Sequence, residues 1–346
     1  MIERQWWWPV ATQDELKRSG GQPLALRVLG ERLVLWQGES GQVSLLVDQC
    51  PHRGAKLSMG RVCGDALQCP YHGWRFGAGG QCLAIPAQPG FVPPASSAAR
   101  NHELKAAHGL WWARLAQGAE LPQDSELGDA TGPRAGGESQ PRGTSLGPPP
   151  LPILPERHLI YGPFDVATSA PRAVENFLDT AHFAYVHEGW LGDQAHPEVP
   201  PYEVQHTPDG RPLIAHYRAW QPRASASSQL GAWVEYRYEV LSPYAALLSK
   251  QGQGGGAQDS YVIWACPQTE TSCRLWFAQY TTDAQTPAEE LRDFQLAIFA
   301  QDQPILESQE PKALPVSGGE AMSAADRLSA AYRRYLKSRG IAYGVC

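Results

Sequence analysis

Residues 50–74 read CPHRGAKLSMGRVCGDALQCPYHGW, and this stretch carries two short pairs of metal-binding side chains. The first pair is Cys50 with His52 and the second is Cys69 with His72, with sixteen residues between His52 and Cys69. Two thiolates and two imidazoles on two loops can hold one [2Fe–2S] cluster, with the cysteines on one iron and the histidines on the other. The same four ligands can also form a closed structural zinc site.

The distribution of the ligands favours the cluster over zinc. Zinc fingers usually pair cysteine with cysteine and histidine with histidine, whereas each of these loops offers one of each. Glycines such as Gly54 and Gly73 suit two tight loops whose backbone N–H groups face sulfur. The segments CPHRGA and CPYHGW resemble the Rieske cluster motif of the ring-hydroxylating oxygenases, which implies a [2Fe–2S] cluster held by Cys50, His52, Cys69 and His72.

The composition limits the classes of function. A chain of 346 residues with 42% hydrophobic and 18% charged residues is typical of a soluble protein of two domains. The formal charge of −6 argues against nucleic acid or an anionic membrane as a partner. The sequence contains no run of eighteen apolar residues, so no transmembrane segment is predicted, and the N-terminus lacks the apolar core of a signal peptide. The seven cysteines form no even disulfide-like framework, so we expect a reduced, cytoplasmic protein.

The pattern of short apolar runs and turns predicts three regions. Residues 1–117 read as a small β domain, with strands expected at 24–28, 33–36, 43–47 and 109–115. Residues 118–157 contain seven glycines and eight prolines, which predicts a mobile linker or surface loop, since so few aliphatic side chains cannot offset the entropy of ordering.

Residues 158–346 are expected to form a second domain that combines strands and helices. Strand-like runs occur at 232–241, 261–265 and 274–280. A helix is expected at about 324–339, and Thr286 followed by Pro287 reads as the start of another helix that runs towards Gln309. The fold class is therefore α+β.

A second metal site is indicated by His182 and His187, which lie in an otherwise apolar helical run beside Asp179 and Asn176. Residues five apart are about 140° apart around an ideal helix, so both can reach one metal only if the helix ends, bends or bulges between them. A carboxylate from elsewhere would complete a 2-His-1-carboxylate site for Fe(II).

Asp302 is the candidate for this carboxylate. It falls on the apolar stripe of the helix after Thr286, four residues after Ile298 and three before Ile305. A carboxylate on a buried face is costly unless it is paired or bound to metal. Asp293 and Glu307 face away from the stripe and are expected to be solvated.

With both sites identified, the chain resembles the catalytic α subunits of Rieske non-haem iron oxygenases over nearly its whole length. The run NFLDTAHFAYVH at 176–187 is similar to the iron motif of that family, and 301–309 is similar to its carboxylate segment. The resemblance implies His182, His187 and Asp302 as iron ligands and Asn176 as a nearby polar residue. Within the family, the chain looks most like saxitoxin-pathway, vanillate-demethylase and pheophorbide-oxygenase types, without the C-terminal membrane segment of the last.

The resemblance also implies the domain architecture of the enzyme, its subunit arrangement and the source of its electrons. It implies an all-β Rieske domain followed by a helix-grip (START-like) catalytic domain with an antiparallel sheet. It implies Asp179 as the link between His182 and the Rieske histidine His72 of a neighbouring subunit, and hence a homotrimer. Electrons from NAD(P)H would arrive through a separate ferredoxin or flavin reductase. O₂ would then hydroxylate or oxidatively demethylate a small aromatic, polycyclic or alkaloid-like substrate.

Three other functions are weighed against this one. The first is a cis-dihydroxylating aromatic-ring dioxygenase. A pure Rieske electron-transfer protein would need only residues 1–117 and would leave the second metal site without purpose. A ligand-binding module without iron would tolerate His182→Ala with its binding intact. Tyr185, Trp190 and Phe299 are the candidates for the substrate pocket.

Overall fold

The computed structural model describes residues 1–115, 147–223, 231–252 and 258–346. The chain divides into two compact units, Ile2–Pro148 and Pro149–Cys346, with Met1 assigned to the second. Of the linker expected at 118–157, residues 118–146 lie outside the described residues, and the first strand of the second unit begins at Arg157.

Besides three short 3₁₀-helices at Ile2–Gln5, Leu57–Met59 and Ala95–Ser97, the described part of the first unit consists of one short α-helix and short antiparallel strands. They are β1 (Trp7–Thr12), α1 (Gln13–Arg18), β2 (Leu24–Val28), β3 (Glu31–Gln37), β4 (Val43–Val47), β5 (Arg61–Cys63), β6 (Ala66–Gln68), β7 (Arg75–Phe76), β8 (Cys82–Ala84), β9 (Glu103–Ala107) and β10 (Leu110–Arg114). The sheet orders are β1-β10-β9, β2-β3-β4 and β5-β6-β7-β8. The four strands expected in this region are confirmed.

The loops after β4 and β6 share one apolar core with the strands. Its largest buried members are Trp36, Leu67 and Phe76, and the thiols Cys50 and Cys69 belong to the same cluster. Cys82 is half-buried and packs against this core as a small apolar side chain, and Cys63 is half-buried as well.

The second unit is built on a seven-stranded antiparallel sheet in the order β11-β17-β16-β15-β14-β13-β12. In chain order its elements are β11 (Arg157–Val166), α2 (Ala170–Leu178), α3 (Phe183–Val186), β12 (Gln205–His206), β13 (Pro212–Gln221), β14 (Ala232–Ser242), β15 (Ala245–Gly252), β16 (Gln258–Thr269), β17 (Ser272–Thr281), α4 (Ala288–Ser308) and α5 (Arg327–Ser338). The expected strands and the C-terminal helix are confirmed, and so is the α+β class.

The start of α4 differs from the expectation by one residue. Pro287, not Thr286, occupies the N-cap position, and the Thr286 hydroxyl instead donates to Asp283 Oδ2 at 2.5 Å. Pro304 lies inside the last turns of the 21-residue helix.

Helix α2 is fixed to the rest of the unit by a partly buried ionic network. Arg333 Nε and Nη2 on α5 donate to the two carboxylate oxygens of Glu175 on α2, both at 2.6 Å, and Arg333 Nη2 also donates to Glu320 Oε2. Arg172 on α2 binds the other oxygen of Glu320 at 2.6 Å. A buried carboxylate is tolerated when it is paired in this way. This network fixes the helix that leads into the second candidate metal site.

In the described residues, no helix is both long enough and apolar enough to cross a membrane.

Candidate functional site

The two cysteine–histidine loops have the same backbone design. In the first, Cys50 N–H donates to Ala55 and Gly54 N–H donates back to Cys50, both at 2.8 Å. In the second, Cys69 N–H donates to Trp74 at 2.8 Å and Gly73 N–H donates to Cys69 at 3.1 Å. Gly54 and Gly73 take φ values of 73° and 72°, a conformation that favours glycine and explains why it recurs four residues after each cysteine.

These loops bring four potential ligands together with opposite exposure. The Cys50 and Cys69 side chains are buried, whereas His52 and His72 are exposed. The two imidazole centroids are 4.5 Å apart, and the Trp74 ring stacks on His52 at 4.6 Å. Burial and the neighbouring Cys69 thiol raise the pKa of Cys50 to about 11. Bound iron would remove this conflict, because a coordinating thiol is deprotonated. The donor set and its placement fit a Rieske [2Fe–2S] cluster.

The second candidate site forms where α2 ends. Asp179 is the C-cap of α2 with extended backbone (φ −73°, ψ 130°), and its Oδ1 accepts from Ala181 N–H at 2.7 Å. His182 and His187 then occupy the N-cap and C-cap of the one-turn helix α3. The sequence suggested one helical run that ends, bends or bulges between the two histidines, whereas in the structure the run is interrupted earlier, at Asp179, and the short helix α3 lies between the histidines. The helix breaks before His182, because the Asp179 side chain makes an Asx turn in place of helical hydrogen bonds.

This break brings three donor atoms together. The Nε2 atoms of His182 and His187 are 3.2 Å apart. Asp302 Oδ1 lies 3.6 Å from His182 Nε2 and 3.3 Å from His187 Nε2. Ligand atoms about 2.1 Å from one metal and at right angles to each other would be about 3 Å apart. The three atoms thus lie close to one triangular face of an octahedral site.

The surroundings of the three atoms favour a cation at their centre. Asp302 Oδ1 is buried and has no hydrogen-bond partner among the described residues. Burial opposes the protonated form of His182, but the hydrogen bond and charge of Asp179 and the charge of Asp302 outweigh it and raise the pKa of His182. The same negative field would hold a metal ion. The donor set of two imidazoles and one carboxylate fits Fe(II) with open positions.

Each histidine is oriented by a second polar side chain. His187 Nδ1 lies 2.8 Å from Gln301 Oε1. This oxygen can only accept a hydrogen bond, so the His187 proton is on Nδ1. The lone pair of His187 Nε2 then faces the other two potential ligand atoms, His182 Nε2 and Asp302 Oδ1. Asp179 Oδ2 lies 3.5 Å from His182 Nδ1. Burial raises the pKa of Asp179, but its hydrogen bond with His182 and the His182 charge bring it below the usual value. The role of Gln301 was missed from the sequence, because 114 residues separate it from His187.

A mainly apolar pocket opens beside the three donor atoms. Asn176, His182, His187 and Asp302 line it, together with six phenylalanines: Phe164, Phe177, Phe183, Phe277, Phe294 and Phe299. Of the pocket candidates chosen from sequence, Phe299 is in this lining. Trp190 packs against Phe294 at 5.4 Å behind it, and Tyr185 is 63% exposed. Asp293 is exposed, as expected, while Glu307 is only half-buried and accepts from Ala167 N–H.

Each of the two units matches a known protein family. Residues 6–98 match the Rieske [2Fe-2S] domain, and residues 166–340 match the vanillate O-demethylase oxygenase C-terminal domain. Methylxanthine N3-demethylase NdmB of Pseudomonas putida is 30% identical, over 96% of this chain and 88% of that protein. The oxygenase component of chloroacetanilide N-alkylformylase from Rhizorhabdus wittichii is also 30% identical, over 96% and 94%. The structure of Pseudomonas putida CBB5 NdmA with caffeine superimposes with a TM-score of 0.76 at 28% identity, covering 96% of this chain and 90% of that one.

If Cys50 is a cluster ligand and Cys63 is not, replacing each with serine should affect the cluster differently. Cys50→Ser removes a buried thiol that faces Cys69, so we expect loss of the cluster, measured as the visible absorbance and the acid-labile sulfide of the purified protein. Cys63→Ser is the matched control, because Cys63 lies on the neighbouring strand β5 and should retain both signals. Equal sulfide content in the two variants would contradict the assignment of Cys50.

Replacing Gln301 should lower the affinity for metal although the three potential ligands His182, His187 and Asp302 are retained. Gln301→Leu removes the acceptor from His187 Nδ1, and we expect Fe(II) affinity to fall about 10- to 100-fold in equilibrium dialysis. Gln303→Leu is the control, since Gln303 lies on the same helix and bonds Glu307. Unchanged affinity in Gln301→Leu, or an equal loss in Gln303→Leu, would show that the contact does not orient the ligand.

Proposed function

The chain belongs to the Rieske non-haem iron oxygenases, and on this premise we propose that it removes an alkyl group from, or hydroxylates, a small aromatic or heteroaromatic molecule. The observation that carries this proposal is the position of the pocket. A cavity lined by six phenylalanines opens directly onto the His182–His187–Asp302 cluster, so a flat apolar substrate would present a C–H bond to that cluster.

The relatives narrow the reaction. The proteins with about 30% identity over almost the whole chain include a methylxanthine N-demethylase, and NdmA has been solved with caffeine. In a demethylation, one atom of O₂ enters the methyl C–H bond, two electrons and two protons reduce the other atom to water, and the hydroxymethyl group leaves as formaldehyde. A ring dihydroxylation releases no formaldehyde, so product analysis distinguishes these two oxygenase functions.

The two sites indicate which cofactors the protein binds and which residues would be their ligands. Cys50, His52, Cys69 and His72 would hold the [2Fe–2S] cluster, and His182, His187 and Asp302 the mononuclear Fe(II). When bound, these centres supply one-electron transfer and the activation of O₂. The protein orients His182 and His187 through Asp179 and Gln301, and its phenylalanines exclude water from the reacting carbon. A separate reductase fed by NAD(P)H would provide the electrons.

We also propose that Asp179 joins two subunits. Its carboxylate contacts His182 on one side, and its side chain is 29% exposed. His72 is exposed as well. A homotrimer in which His72 of one subunit approaches Asp179 of the next would use the exposed imidazole and the partly exposed carboxylate, and light scattering of the purified protein would measure its mass. All seven cysteines are free, which supports a cytoplasmic location.

Asp179→Asn tests this arrangement. The amide keeps the size of the side chain but loses its charge, so we expect formaldehyde release from N-methylated substrates to fall about 10- to 100-fold while the iron content is unchanged. Asp193→Asn is a closely matched control, because Asp193 Oδ1 accepts from Ala195 N–H two residues on, as Asp179 Oδ1 does from Ala181. Full activity in Asp179→Asn would contradict the proposed role.

A further inference from the structure

A second cavity adjoins helix α3. It lies between Phe183 and Ala184 of α3, the segment 196–200, and Tyr217 and Ala219 of strand β13. Its volume is about 380 Å³, whereas the pocket beside the His182–His187–Asp302 cluster has about 110 Å³. We refer to the larger space as the outer cavity and to the smaller one as the inner pocket.

The inner pocket must expand to accept the kind of substrate proposed above. An apolar cavity of about 150 Å³ can hold one benzene ring, which is more space than the 110 Å³ of the inner pocket. An aromatic molecule that carries a methyl or methoxy group is larger than benzene. At least one side chain in the pocket wall therefore has to move when such a molecule binds.

The wall between the two spaces is thin at Phe183 and Leu191, because both side chains line the inner pocket and the outer cavity. Both are half-buried, and partly exposed side chains change rotamer without unfolding of the backbone. The ring centroid of Phe183 lies 4.8 Å from that of His182 and 6.0 Å from that of His187. Movement of Phe183 would thus open the inner pocket directly beside the potential iron ligands.

Two exposed tryptophans lie at the rim of the outer cavity. Trp220 on β13 and Trp233 on β14 are directly opposite each other, with ring centroids 5.9 Å apart. They are 36% and 42% exposed, and both contribute to the lining of the outer cavity. Exposed apolar surface beside a cavity is typical of binding sites, and indole rings offer a large contact area to another aromatic ring. The outer cavity therefore offers aromatic surface to solvent and adjoins the inner pocket at Phe183 and Leu191.

We propose that the outer cavity is a binding site for aromatic molecules and the route by which the substrate enters the inner pocket, with Phe183 and Leu191 as the partition that moves aside. This inference rests on the proposed function. The incoming molecule contacts Trp220 and Trp233 first, passes the partition, and comes to rest in the inner pocket. The outer cavity then sets how fast a ligand exchanges, while the inner pocket sets how tightly it binds.

The exchange rates of 2-methoxynaphthalene test this route. The molecule is flat and apolar, carries a methyl ether, and reports its own binding by fluorescence. Anaerobic stopped-flow measurements on the wild-type holoprotein give its association and dissociation rate constants. Ala219→Phe places a ring in the outer cavity, since Ala219 lines that cavity and not the inner pocket. An obstacle on the route raises the barrier in both directions, so we expect both rate constants to fall about tenfold or more and the Kd to change less than about threefold.

The control is Ala106→Phe, the same substitution at an exposed position of strand β9 in the first unit, which should change neither rate constant. If 2-methoxynaphthalene does not bind the wild-type protein, the proposal is overturned. Unchanged rate constants in Ala219→Phe would overturn it as well, and this is the result expected if a neighbouring subunit fills the outer cavity.

Leu191→Ala tests the partition by the opposite change. It removes part of the side-chain layer between the two spaces, so we expect association and dissociation both to become about threefold faster or more. Misfolding would not accelerate association, so this variant guards against a trivial loss of binding in Ala219→Phe. Faster dissociation alone, or no change in either rate constant, would overturn the role of Leu191 as a partition.

Formaldehyde release from 2-methoxynaphthalene, measured on the same wild-type preparation, separates this inference from the proposed function. Exchange that depends on Ala219 and Leu191 without formaldehyde release would uphold the route and count against the proposed reaction. Formaldehyde release with exchange rates that neither substitution changes would do the reverse.

Discussion

The second unit depends on one electrostatic constraint, the meeting of a buried carboxylate oxygen with two imidazole nitrogens within 3.6 Å. Asp302 is 13% exposed, and its Oδ1 has no hydrogen-bond partner in the described part of the chain. A buried charge left in this state is strongly destabilising, whereas a bound cation turns the same three atoms into ligands. The broken end of α2, the one-turn helix α3 and the long α4 all serve to bring these atoms together.

The structure around this point has two layers with different tasks. Gln301 and Asp179 orient the imidazoles, while the ionic network of Arg333, Glu175 and Arg172 holds α2 in place behind them. In front of the His182–His187–Asp302 cluster, the phenylalanines shape a mainly apolar space.

Features that depend on residues close together in the chain could be predicted from the sequence, whereas features that depend on distant residues could not. The four loop ligands could be identified because each pair lies within three residues and its glycine recurs at a fixed position. Asp302 could be identified because a carboxylate interrupts an apolar stripe. A break in the helical run could be expected from the five-residue spacing of the histidines, but its position at Asp179 could not, because it depends on the hydrogen bond from Ala181 N–H to the Asp179 side chain. Gln301 was missed because its contact with His187 depends on how α4 is placed against α3, which joins residues far apart in the chain.

The function of the chain depends above all on whether His182, His187 and Asp302 hold a ferrous ion with an open position. Nitric oxide binds such an ion in place of O₂, so the most direct measurement is electron paramagnetic resonance of anaerobically reduced, iron-replete protein exposed to nitric oxide. We expect a high-spin iron–nitrosyl signal beside the signal of the reduced Rieske cluster, and only the Rieske signal in Asp302→Ala. A Rieske signal without any nitrosyl species in the wild-type protein would contradict this assignment and would leave an electron-transfer protein.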